Sequence, residues 1–119
     1  MKVAITAKGT DLKSDVEPRF GRCQWFLLVD TETKEFEVID NAENVNRAGG
    51  AGIGATKLIV SKGAEALITG HCGPNAFTTL SEAGIKVFFG SQGSVEEMLD
   101  KLEKGELPEV EAPDVRGHW

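Results

Sequence analysis

Two soft side chains stand side by side in this chain, His71 and Cys72, and a second thiol, Cys23, lies far upstream. Imidazole and thiolate are the ligands that zinc and iron–sulfur species favour. The pair falls in Thr69-Gly70-His71-Cys72-Gly73-Pro74-Asn75, directly after the apolar run Ala66-Leu67-Ile68. Gly70 and Gly73 permit a sharp bend, and Pro74 suits a first helical turn because its missing N–H is no loss there. A strand-to-helix turn of this kind is where open α/β sheets place their sites. A second stretch with chemical potential is Gly49-Gly50-Ala51-Gly52-Ile53-Gly54. Free N–H groups at a helix start bind anions, and glycine lets an anion approach.

Each of these has a plain structural reading. Cysteine is among the most buried residue types and often acts as a small hydrophobe. Asn75 serves equally well as a helix-start residue bonding its own turn. Gly52 and Gly54 fit close helix packing, and the glycine spacing matches neither the dinucleotide fingerprint nor the Walker pattern. Gly90-Ser91-Gln92-Gly93 forms a third glycine turn, so three helix starts are candidates for an anion cradle.

The elements that must position these residues follow from the patterning. Lys2 to Ala7 alternates and reads as a strand. Leu12 to Cys23 is a long connection carrying Glu17-Pro18-Arg19-Phe20-Gly21-Arg22, and connections of this length are often functional. Trp25 to Val29 is a continuous apolar run, as expected of a strand covered on both faces. Glu35 to Asp40 alternates and should pair with it as an antiparallel edge strand. Asn41 to Arg47 reads as a polar loop.

The second half is a βαβα pattern. A helix is predicted from Ala51 to Lys62, stopped by Gly63, with Ala64 placed to meet Ile59. A strand over 64–69, a helix over 74–83 closed by Gly84, and a strand over 86–89 follow. Ser94 and Glu97 form a capping box for a last helix with Val95, Met98, Leu99 and Leu102 on its apolar face. Parallel strands with helical crossovers are implied. The whole reads as an α/β domain over residues 1–107, with residues 108–119 as an extended acidic tail.

The chain has 119 residues, enough for one domain with a sizeable core. Its formal charge of −6 speaks against nucleic acid as a partner. No apolar stretch is long enough to span a bilayer and no signal-peptide pattern opens the chain, so a cytoplasmic, non-membrane protein is expected. Two cysteines make no disulfide framework.

The element order, together with Phe20-Gly21-Arg22, the Gly49–Gly54 turn and Gly73-Pro74-Asn75-Ala76-Phe77, resembles the dinitrogenase iron–molybdenum cofactor biosynthesis family, which includes NifX and the C-terminal domain of NifB. The resemblance implies a ribonuclease-H-like fold: a mixed five-stranded sheet of order 3-2-1-4-5, strand 2 antiparallel, flanked by three helices. It also implies a carrier of iron–sulfur or iron–molybdenum clusters or their precursors, working with cluster-assembly or acceptor proteins. Cluster-handling members often have His-Phe-Gly in the first long loop, where this chain has Arg19-Phe20-Gly21.

With that strand order, Cys23, His71 and Cys72 gather at one sheet edge. Two strand spacings set the cysteine backbones roughly 10 Å apart, beyond the reach of an unstrained disulfide. The expectation is therefore a metal or cluster held by Cys72, His71 and Cys23. Arg19 and Arg22 would supply charge to it, and Gly49, Gly50, Gly52, Gly73 and Asn75 would complete the binding surface. Enzyme readings lack residues: no carboxylates stand on Lys2 to Ala7 for two-metal hydrolysis, and no serine has a histidine at a recognisable spacing. The expected function is a non-enzymatic, monomeric cluster carrier. The alternatives are an anion or nucleotide-phosphate module without metal, and a protein-interaction adaptor.

Overall fold

The computed structural model describes residues 1–46 and 49–111. Its elements are β1 (Lys2–Ala7), β2 (Trp25–Asp30), β3 (Phe36–Asp40), α1 (Ala42–Val45), α2 (Ala51–Ser61), β4 (Ala66–Thr69), α3 (Pro74–Glu82), β5 (Lys86–Phe89) and α4 (Val95–Glu103), with a 3₁₀ turn at Phe20–Arg22. The sheet order is β3-β2-β1-β4-β5. β2 is antiparallel to both its neighbours, and β1, β4 and β5 are parallel. This is the mixed ribonuclease-H-like arrangement expected from the resemblance.

The apolar run of β2 explains itself through period-two alternation. Phe26 and Leu28 point into one core, and Leu27 and Val29 into the other. The first core is closed by Ala55 and Ile59 of α2 and by Ala76 and Leu80 of α3. The second is closed by Val95, Met98 and Leu99 of α4. Helix ends follow the predicted chemistry. At Gly63 and Gly84 the two Schellman bonds form, Ala64 N–H to Ile59 O at 3.1 Å and Ile85 N–H to Leu80 O at 3.0 Å closing the wider rings. Ser94 and Glu97 make the capping box reciprocally.

The segment 41–46 departs from expectation. It is not a plain loop: the carbonyl of Asn41 accepts from the N–H groups of Asn44 and Val45, closing the single turn of α1. Among the described residues a fourth, one-turn helix thus joins the three expected ones, packed on α2 and the 3₁₀ turn. A four-residue helix is too short to show a 3.6-residue period, so the pattern carried no signal for it. Arg47 lies outside the described residues.

The long connection after β1 is tied down along its length. Glu17 N–H donates to Thr6 O at 2.9 Å, and the Thr6 hydroxyl donates to Glu17 O at 2.6 Å. His71 N–H then donates to Pro18 O at 2.6 Å and Phe20 N–H to His71 O at 3.1 Å, so Pro18–Phe20 runs parallel to Gly70–His71. Gly70 makes this approach geometrically available. A Cβ there would stand 2.8 Å from Pro18 O and 2.8 Å from Ser91 Cβ.

At the far edge, Phe89 N–H donates to Pro108 O and Val110 N–H to Val87 O, laying residues 108–110 against β5. Residues 112–119, with the Gly117-His118-Trp119 end, lie outside the described residues. Among the described residues no helix is long and apolar enough to cross a membrane.

Two stability effects are expected. Gly70→Ala forces the loop or Ser91 to retreat and should lower stability by about 1–3 kcal/mol, read as a reduced urea midpoint at unchanged slope. Ser94→Ala removes the α4 cap and should cost about 1 kcal/mol by the same measurement.

Candidate functional site

The chain opposite β1 and β4 at the carboxyl edge of the parallel strands encloses a cleft of about 330 Å³. Three pieces of backbone build it: the 3₁₀ turn at Phe20–Arg22, the Gly49–Ile53 entry to α2, and the His71–Ala76 entry to α3. Of the residues expected at a site, Arg22, Gly49, Gly50, Gly52, His71, Gly73 and Asn75 all line it. Arg19 is brought beside His71 by the backbone bridge and is solvent-exposed.

The glycines have different jobs. A Cβ on Gly52 would stand 2.8 Å from Ala76 Cβ, so this residue lets α2 and α3 meet at the cleft floor. At Gly49 and Gly50 an added Cβ meets nothing within 4 Å, so they leave the mouth open. Gly50 caps α2 in the left-handed region, at φ 75°.

Both helix starts aim at the cleft without a side-chain cap or an acid in the first turn. The first turn of an α-helix has N–H groups with no acceptor inside the helix, and its dipole end carries about half a positive charge. Among the described residues the lining includes Arg22 and His71 and no carboxylate, in a chain whose formal charge is −6. The cleft thus gathers two helix N-termini and an arginine in an acidic protein. The third glycine turn does not join it. Gly90 is packed under Met98 and Ile68 instead, and the α4 start is closed by Ser94 with Glu96 and Glu97 in its first turn.

The expected metal set of Cys72, His71 and Cys23 is not assembled. Among the described residues no group of three or more His, Cys, Asp and Glu side chains is placed to hold a metal ion. Adjacent residues in extended backbone point to opposite sides. His71 faces the cleft, with its ring 6.3 Å from that of Phe89, whereas Cys72 enters the core beside the α3 layer and is 5% exposed. Cys23 is fully buried in the same core, its thiol donating to Phe20 O at 3.3 Å. Burial pushes the Cys72 thiol up to about 12. Burial first, and then the negative charge of Glu17, push the Cys23 thiol up as well. The protonated thiol is thus the favoured form of both.

Sequence reasoning missed the support behind Arg22. Asn41 is fully buried and donates from Nδ2 to Cys23 O at 2.9 Å, while its Oδ1 accepts from Asn44 Nδ2 at 2.8 Å. Arg22 Nη1 donates to Val45 O at 3.1 Å, closing the end of that turn. The available signal was two asparagines three residues apart directly after a strand. Phe20, Gly21 and Ile53 also line the cleft.

Known proteins share this architecture. The apo form of the orange protein from Desulfovibrio gigas is 37% identical and superposes with a TM-score of 0.93, covering 95% of each chain. A candidate NifB protein of Thermotoga is 40% identical with a TM-score of 0.86, covering 98% of each. An uncharacterized protein of Methanocaldococcus jannaschii is 32% identical over 113 residues, 93% of this chain and 92% of the relative. The family model described as dinitrogenase iron–molybdenum cofactor matches residues 1–105, and the chain belongs to that family.

Proposed function

We propose that the protein is a non-enzymatic carrier that holds an anionic metal–sulfur cluster, or a precursor of one, in the glycine-lined cleft and hands it to an acceptor protein. The observation carrying this reading is the convergence of two uncapped helix starts, Arg22 and His71 on a cleft with no lining carboxylate among the described residues. Such a cleft binds through backbone N–H groups, dipole ends and side-chain charge, and needs no thiolate. The donor set suits an anion that arrives with its own sulfide ligands. Family membership supports a metal–sulfur cargo over a plain phosphate, and one solved relative is itself described as an apo form. Holding by charge and hydrogen bonds also suits release, since no ligand exchange at the metal is required.

The test uses tetrathiomolybdate, a coloured anionic metal sulfide, titrated anaerobically into the full chain. Saturable binding should weaken as ionic strength rises. Arg22→Ala should weaken it at least tenfold, equivalent to about 1.4 kcal/mol, while Cys72→Ala should leave it within about twofold. Loss of binding in Cys72→Ala, with the fold intact, would show thiolate ligation and overturn the charge-held reading. Equal displacement by inorganic phosphate would instead favour the anion-module alternative.

The neutral thiols give a separate check. The folded state keeps protons that an unfolded chain releases above the ordinary thiol value of 9.0. Stability is therefore full below about pH 9 and falls as pH rises toward about 12, by about 1.4 kcal/mol per unit for each thiol. Urea midpoints between about pH 8 and pH 10.5 should show this decline, with a shallower slope in Cys72→Ala.

A further inference from the structure

The two faces of the sheet are covered unequally. One carries α1, α2, α3 and the 3₁₀ turn, whereas the other carries α4 alone among the described elements. In the β2–β3 register Leu27 stands opposite Val38 and Val29 opposite Phe36. Directly opposed residues share a face, so Phe36 and Val38 project on the α4 side. They are 40% and 39% exposed there, while Ile39, on the other face, is buried. Between α4 and this half of the sheet runs an open groove of about 790 Å³. Its apolar floor is Leu12, Val29 and Leu99; Glu96, Glu97, Asp100 and Glu103 line it from α4, against Lys13 and Lys34 from the loops, so acids outnumber lysines, and Phe36 and Val38 stand outside this lining.

We propose that this half-layer, uncovered among the described residues, is a docking surface for an amphipathic helix of a partner protein, laid beside α4 over β2 and β3, with its apolar side down and Lys or Arg toward α4. A sheet face of this kind is normally closed by a layer of helices packed 8–10 Å apart, and the uncovered strands lie next to an existing helix. The charge of the wall selects the occupant. Glu103 is held by Lys34 and Asp100 by Lys104, but these pairs are exposed, so exchanging them for a partner's cations costs little. A second copy is disfavoured because a two-fold contact through this face sets the α4 acids of both chains against each other. The surface lies on the opposite face of the sheet from the α2 and α3 starts, so the inference does not depend on what the cleft holds.

The test is amide NMR on the labelled full chain, titrated with a synthetic helical peptide carrying a leucine stripe and a lysine face. A counterpart with glutamate for every lysine serves as the control. Expected are one-to-one, saturable shifts centred on Phe36, Val38, Leu99 and Asp100 with the lysine peptide and none with the glutamate one. Phe36→Ser with Val38→Ser should weaken binding at least tenfold while the rest of the spectrum stays unchanged. Glu96→Lys with Asp100→Lys should transfer the preference to the glutamate peptide. Shifts centred elsewhere, or indifferent to these substitutions, would overturn the proposal. So would concentration-dependent shifts of the same residues without peptide, which indicate a second copy. Shifts of those residues in Trp119→Ala would overturn it too, by indicating that the chain's own C-terminus covers the face.

Discussion

The seam between Pro18–Phe20 and Gly70–His71 is the contact on which the working end of the molecule depends. It is a short parallel pairing made outside the regular sheet, and it joins parts of the chain some fifty residues apart in sequence. Without it the first long connection would still be bonded near its start to Thr6, Lys8 and the 93–96 segment, but Pro18–Phe20 would lose both of its bonds to His71. With it, the 3₁₀ turn is delivered against α2, where Gly21 rests 3.4 Å, measured from an ideal Cβ, from the backbone nitrogen of Gly52. The constraint is steric: a side chain at Gly70 would press on Pro18 O and Ser91 Cβ, so the seam closes undisturbed only with glycine there. Three separate segments then meet as one wall, and a cleft follows from packing rather than from any dedicated loop.

Much of this was legible in the residues. The strands and the three longer helices showed themselves through period-two and period-3.6 patterns, and the glycine and serine caps fixed their ends, because those signals are local. Glycine turns feeding helices pointed to the cleft for the same reason. The direction in which Cys72 projects was not legible. Gathering three soft side chains at one sheet edge is a statement about backbone, and a one-residue alternation sends His71 outward and Cys72 into the core. Asn41 escaped notice because its role depends on Cys23 and Asn44 lying close by, which only the folded chain reveals. The single turn of α1 is closed by the Asn41 backbone carbonyl, with the buried Asn41–Asn44 side-chain pair beside it.

The two faces of the sheet divide the labour of stability and recognition. The α2–α3 face contains both thiols, the buried asparagines and the cleft, and among the described residues its buried side-chain polar groups have partners. The α4 face is simpler, a single amphipathic helix over aliphatic strands. The β5 edge of the sheet is occupied by the chain's own residues 108–110, while the β3 edge carries Glu35, Glu37 and Asp40. Charge on an edge strand discourages pairing with other strands, so one edge is covered and the other is guarded.

The burial of the two thiols also bears on how the protein ages. Oxidation, alkylation and disulfide exchange all proceed through an accessible thiolate, and neither Cys23 nor Cys72 offers one in the folded chain. Burial therefore slows attack on either thiol by oxidants and by mixed-disulfide partners for as long as the chain stays folded.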